Sequence, residues 1–173
     1  MSTTVRISDR FSPGMRGFFA IACMTMIYCG TAAAYELFPE IAPSPEYAAE
    51  EVVGIQMRAL GKNDSPRENA GIEITFRFAS PSNRKVTGPL DRFQNLFLNP
   101  AYKPMINHSQ LEVGVATYEG DSATVPVLVI DSNGGSSGFM FSLTRQTVPP
   151  YEDCWMTDSV IPVRIPKDTT SIL

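Results

Sequence analysis

Residues 44–165 of this 173-residue chain predict one α+β domain, with helices first and an antiparallel sheet after them. Three observations carry that prediction. Apolar residues recur at helical spacing as far as Ile106, and Gly or a capping residue followed by Pro marks five sharp corners in the same half. From Gln110 onward the apolar period falls to two, with turn residues between the runs. Apolar residues make up 43% of the chain, enough for one good core.

Ser44-Pro45-Glu46 supplies an N-cap, a Pro for the first helical position and an acid for the first turn. Ala49, Val52, Val53, Gln56, Met57 and Leu60 follow on one helical face, and Gly61 with Asn63 closes it. Asp64-Ser65-Pro66 opens a second segment whose centre satisfies two periods at once. Ile72 to Phe78 alternates as a half-buried strand should, and the pattern alone favours that strand. The same stretch also offers Ile72, Thr75, Phe76 and Ala79 as one helical face ending at Ser80-Pro81.

Thr87-Gly88-Pro89 starts another helix, with Leu90, Phe93, Leu96 and Phe97 inward, and Asn99-Pro100 ends it before a short turn through Tyr102, Met105 and Ile106. Four strands are expected after that: Leu111–Tyr118, Ala123–Ile130, Phe139–Val148 and Cys154–Ile165. Pro126 requires an edge or a bulge in the second of them, and Asp131 to Gly135 is a strong hairpin signal. The tail, residues 166–173, is polar and expected to be flexible.

The N-terminus reads as an address. Arg6, Arg10 and Arg16 precede an uncharged run from Gly17 to Ala34, which ends in Ala32-Ala33-Ala34. A signal peptidase accepts such small residues, so residues 1–34 are expected to be a signal peptide, with Tyr35 the new N-terminus and residues 35–43 a linker. Left uncleaved, residues 17–34 would be a membrane anchor at the lower edge of spanning length. The Ser, Thr and Arg content of residues 1–16 also suits an organelle presequence. The folded part is therefore expected to be exported, to a periplasm, the exterior or an organelle lumen, or else held on a membrane. Cleavage removes Cys23 and Cys29 and leaves Cys154 without an internal disulfide partner.

Several residues in order carry a likeness. Phe78-Ala79-Ser80-Pro81, Asn83-Arg84, Thr87-Gly88-Pro89, Arg92-Phe93, Tyr102, His108, Cys154-Trp155 and Thr157-Asp158-Ser159-Val160 resemble the family catalogued as domain of unknown function 4864. The likeness spans roughly Pro45 to Val163. That family resembles the nuclear-transport-factor-2-like or ketosteroid-isomerase-like superfamily. The resemblance implies three helices followed by a strongly curved antiparallel sheet, a cone-shaped fold with a ligand pocket. It also implies that Ile72 to Ala79 is helical, that the protein is exported, and that the open sheet face can form a homodimer. It implies a fold and no reaction.

Composition excludes several function classes. A net charge of −4, a pI near 5.0 and the absence of a basic stripe argue against nucleic acid. One His and no acids spaced with it argue against a metal site, and no cofactor is expected. Ser80 and Ser82 read as corner caps, and Cys154 as a small buried strand residue and not a nucleophile paired with His108.

Two sharper readings stand beside these. Arg84, Lys85 and Arg92 could converge on the free N–H groups at Gly88 to hold an anion, or Arg84, Gly88 and Arg92 could clamp a helical corner. Within the pocket that the resemblance implies, Asp158 could act as the base of a small isomerase or lyase, with Tyr102, Tyr118 or Trp155 nearby. The competing reading pairs Asp158 with Arg145 or Arg84, or makes it a corner cap. Tyr102, His108, Trp155 and Asp158 are the expected pocket-lining residues. Asn63 and Asn107 each head a glycosylation sequon. The leading expectation is an exported, non-catalytic domain that binds a small ligand or a protein partner. The alternatives are the Asp158 enzyme and a membrane-tethered accessory subunit.

Overall fold

A computed structural model describes residues 41–164. The address segment 1–34, the linker up to residue 40 and the tail 166–173 lie outside the described residues. Within them run α1 (Ala49–Leu60), α2 (Ala70–Arg77), α3 (Pro81–Thr87), α4 (Leu90–Leu96) and a 3-10 turn over Lys103–Met105. The strands β1 (Gln110–Val113), β2 (Thr117–Glu119), β3 (Ser122–Ile130), β4 (Ser136–Arg145) and β5 (Trp155–Val163) follow. All strand pairings are antiparallel, in the order β1-β3-β4-β5, with β2 also on β3.

The sheet has five strands where four were expected, and Gly114 and Pro126 explain the extra one. The alternating run Leu111–Tyr118 breaks between Val113 and Thr117, so β1 and β2 share the same side of β3. Pro126 lies opposite the break, where its missing N–H costs no ladder bond. The Gly114 N–H reaches the Pro126 carbonyl at 2.8 Å, and a Cβ on Gly114 would come within 2.7 Å of the Pro126 ring.

The first helix starts later than its sequence signal. Ser44 and Pro45 form a turn, in which the Tyr47 N–H meets the Ser44 carbonyl at 3.3 Å. Ala48 is the N-cap, and its N–H donates to the Glu51 carboxylate at 2.8 Å, one half of a capping box.

The strand favoured for Ile72 to Phe78 is a helix, α2. Packing overrides the alternation. Gly71 lets α2 approach α1 so closely that a Cβ there would sit 2.1 Å from the Ala59 carbonyl oxygen. The Thr75 hydroxyl, buried at that contact, donates to the Gly71 carbonyl at 2.9 Å, and the Gln56 side chain donates to the Thr75 carbonyl at 3.1 Å. A short segment of this kind gains its helicity from such tertiary contacts more than from propensity. The connection before α2 is tied by Asn63, whose side-chain amide donates to Asp64 and Asn69 and accepts from the Ile72 N–H. Asn63 is buried with that amide committed, so its sequon offers no glycosylation site.

One face of the sheet is buried. Along β3, Ala123, Val125, Val127 and Val129 point inward while Thr124 and Pro126 are exposed. Val52, Val53, Met57 and Leu60 of α1 share a core cluster with those valines and with Phe139, Phe141 and Leu143 of β4. Each such side chain contributes about 1.5–3 kcal/mol on burial, the main opposition to chain entropy.

The edge strand β5 carries the irregularity that shapes the site. Leu143 pairs with Thr157 and Ser142 with Ser159, so Asp158 is the extra residue of a β-bulge. Beside it the corner between α2 and α3 is stitched onto β5. The Ser80 N–H donates to the Thr157 carbonyl at 2.8 Å and the Thr157 N–H to the Phe78 carbonyl at 2.9 Å. Ser80 also caps α3, accepting from the Asn83 N–H at 3.1 Å with Pro81 at the first helical position, so the corner expected at Ser80-Pro81 opens a short helix that was not among the expected elements.

Candidate functional site

Between α3, α4, the 3-10 turn and the bulged end of β5 lies a cavity of about 440 Å³. Its walls are apolar: Phe93, Leu96 and Phe97 come from the α4 region, Val86 from α3, Met105 from the turn, Phe141 from β4 and Val160 from β5. Val86 and Leu96 are exposed and form part of the mouth. The size and lining are those of a small-molecule pocket.

Its polar lining includes Ser82, Asn83, Thr87, Tyr102 and Ser159, and two further groups stand out. Gln56, Thr75 and Thr157 are buried and close a hydrogen-bonded set, with the Thr157 hydroxyl donating to Gln56 Oε1 at 2.7 Å. Their bonds are all internal, so they fix the wall. Asp158 is different. It is half-buried, and the bulge carries it to the cavity next to Thr157 on the same strand. Ser82 donates a hydroxyl to its Oδ1 at 3.1 Å and Thr144 donates one to its Oδ2. Both oxygens thus act as acceptors, the pattern of a carboxylate.

The competing ion-pair reading of Asp158 does not hold. Arg145 pairs with Asp153 at 3.0 Å, and the Arg84 guanidinium is committed elsewhere. The tie from Asp158 to Ser82, and from Ser82 Oγ to Ser80 Oγ at 2.7 Å, does link it to the helical corner.

Of the four expected pocket residues, Tyr102 and Asp158 line the cavity and two do not. Tyr102 donates its hydroxyl to the Val160 carbonyl at 3.2 Å. His108 lies instead against Gly61 at the end of α1, with Nδ1 3.0 Å from the Met105 carbonyl oxygen. Trp155 packs edge-on against Tyr118, ring centres 5.4 Å apart. Tyr118 serves the N-terminus of α1, donating to Glu50 at 2.6 Å, so it too is absent from the cavity lining. Its phenol is pushed up by burial and by the Glu50 carboxylate.

The anion site expected at Gly88 does not form. The Gly88 N–H is already bonded to the Arg84 carbonyl at 2.9 Å. Arg84 turns away from it: Nε donates to the Ala79 carbonyl at 2.8 Å, Nη2 to the Arg77 carbonyl at 2.7 Å and Nη1 to the Tyr151 hydroxyl at 3.2 Å. Its guanidinium also lies 5.7 Å from the Phe76 ring centre and 5.2 Å from that of Tyr151. Lys85 and Arg92 are exposed. Arg84 alone clamps the corner, while Gly88 is required by close approach, since a Cβ would lie 2.6 Å from the Arg84 carbonyl oxygen.

Cys154 is buried, and burial first, then the Asp153 charge, pushes its thiol up, away from thiolate chemistry. Among the described residues no group of three or more His, Cys, Asp or Glu could hold a metal ion. No helix among them is long and apolar enough to cross a membrane. Val125, Val127, Phe139 and Phe141 turn inward to the core, while Ile161 and Val163 of β5 stay exposed.

Sequence reasoning missed most of the wall. Gln56 carried a usable signal, a polar residue on the otherwise apolar face of α1. Thr157 and the bulge beside it left none. The fold and cavity together define a class, an α+β domain whose helices and sheet edge enclose an apolar pocket with one carboxylate. No family model matches the chain, and no curated protein or solved structure is similar to it at a significant level.

Proposed function

We propose that this protein is an exported, non-catalytic domain that binds a small ligand in the cavity beside Asp158. The observation that carries the reading is the cavity itself, apolar on most sides and fitted with a single half-buried carboxylate. We also propose that it belongs to the family of domain of unknown function 4864, with the cone-shaped architecture of the nuclear-transport-factor-2-like superfamily. Support for that comes from the order of elements, helices and then an antiparallel sheet, and from a pocket between them at a β-bulge.

The export reading rests on residues 1–34. Mass spectrometry of protein purified from its host should find a chain beginning at Tyr35. A chain beginning at Met1 and extracted only by detergent would replace export with a membrane anchor.

An isomerase or lyase is the second reading, favoured by a half-buried Asp158 with no Arg partner among the described residues. Such chemistry needs a proton donor across from the base. Tyr102 is the phenol at hand, and its hydroxyl already serves the Val160 carbonyl. Binding therefore describes the geometry better than turnover does.

A blocking substitution tests the cavity. Leu96→Trp fills the mouth from a partly exposed position, so the fold should persist by circular dichroism. Ligand-observed NMR with the full chain should show 2-phenylethanol binding to the wild type and not to this variant. Equal signals from both would place the binding elsewhere.

A further inference from the structure

The charge of the cavity has one sign. Among the described residues that line it there is no Lys, Arg or His, and Asp158 is the one carboxylate. The cations that could have neutralised Asp158 are spent on other partners, Arg84 on the Arg77 and Ala79 carbonyls and Arg145 on Asp153. Asp158 is left without a cationic partner among the described residues, and a ligand that brings a positive charge would supply a charge-assisted hydrogen bond there.

Hydrogen bonding narrows the choice further. Each Asp158 oxygen accepts one hydroxyl, from Ser82 or from Thr144. A carboxylate offers about four lone-pair positions, so roughly two remain, and only a donor can use them. An anionic or purely accepting ligand group is rejected. Alcohols and amines both donate, but a protonated amine also supplies the opposite charge. Phe93, Phe97 and Phe141 line the same cavity, and aromatic faces attract a cation as well as an apolar body.

We propose that the ligand is a small organic amine, its ammonium group against Asp158 and an aromatic or compact aliphatic body against the phenylalanine walls. This rests on the reading that the cavity binds a small ligand. The volume lies towards the lower end of the usual range for ligand sites, which suits a body of one or two rings.

Three near-isosteric probes separate the two ideas: 2-phenylethylamine, 2-phenylethanol and phenylacetate, titrated calorimetrically into the full chain at neutral pH and low salt. The amine should bind at least about tenfold more tightly than the alcohol, and phenylacetate should bind least. Asp158→Asn should abolish the advantage of the amine and leave the alcohol within about twofold. Val86→Lys adds a cation at the cavity mouth. Val86 is 68% exposed, so this variant puts little of the fold at risk. It should weaken the amine several-fold more than the alcohol. Equal affinities for amine and alcohol, tightest binding of phenylacetate, or an amine indifferent to both variants would overturn the amine assignment while the cavity reading stands. Absence of binding by all three at about 10 mM would overturn both.

Discussion

Arg84→Ala removes a side chain that touches four residues at once, three at the end of α2 and Tyr151 before β5. Two of its hydrogen bonds go to the Arg77 and Ala79 carbonyls at the C-terminal end of α2, where helix geometry leaves carbonyls without partners. Charge-assisted bonds of this kind contribute about 1.5–3 kcal/mol each, and half-burial of the side chain discounts them because water can replace part of the loss. The Tyr151 bond and the two ring contacts add about 0.5–1 kcal/mol apiece before the same discount. The net loss should be about 3 kcal/mol, or on the order of 10 °C in melting temperature for a domain of this size. Arg84→Lys keeps the charge, but a single ammonium cannot span three acceptors, so it should recover less than half. Urea unfolding read by circular dichroism measures both, with an unchanged slope as the sign that only stability moved. A loss under about 0.5 kcal/mol for Arg84→Ala, or wild-type stability for Arg84→Lys, would refute the clamp.

Gly71→Ala should destabilise the domain by about 3 kcal/mol or more, because the new methyl would overlap the Ala59 carbonyl and force α1 and α2 apart; chemical denaturation reads it, and a neutral outcome would show that the helices slide freely. Acid should weaken the fold through the connection before α2. The Asn69 N–H and the Asn107 and Asn63 amides hold the Asp64 carboxyl below its usual range, and the Arg67 guanidinium does the same for Glu73. A carboxyl depressed in the folded state stabilises above its unfolded pKa, so this contribution is present at neutral pH and disappears as pH falls below about 4. Unfolding measured from pH 7 to pH 2 should show that decline, and Asp64→Asn should flatten it; a variant as steep as wild type would assign the acid limb to other groups.

Much of the helical half was legible because Pro and its caps punctuate it, and Ser80-Pro81 does what its sequence says. The Ile72 to Phe78 run was not legible locally. Its apolar residues fit both periods, and what decides is Gly71 against Ala59 and Thr75 against Gln56, contacts between residues distant in sequence. The sheet shows the same limit. Gly114 looks like any glycine in a strand until Pro126 is found opposite it. At the site, Asp158 and Tyr102 could be nominated by residue type, but His108 and Trp155 were nominated on the same grounds and face other neighbours. Residue type proposes chemistry, and only packing direction decides which cavity receives it.

The bulge at Asp158 separates the scaffold from its charge. Residues on either side of it, Thr157 and Ser159, already face consecutive residues of β4, Leu143 and Ser142. Deleting Asp158 would leave an unbroken ladder, with every later pair in register and the same aromatic walls around the space. A single codon gained or lost at this point would thus change the polarity of the chamber without redesigning the sheet.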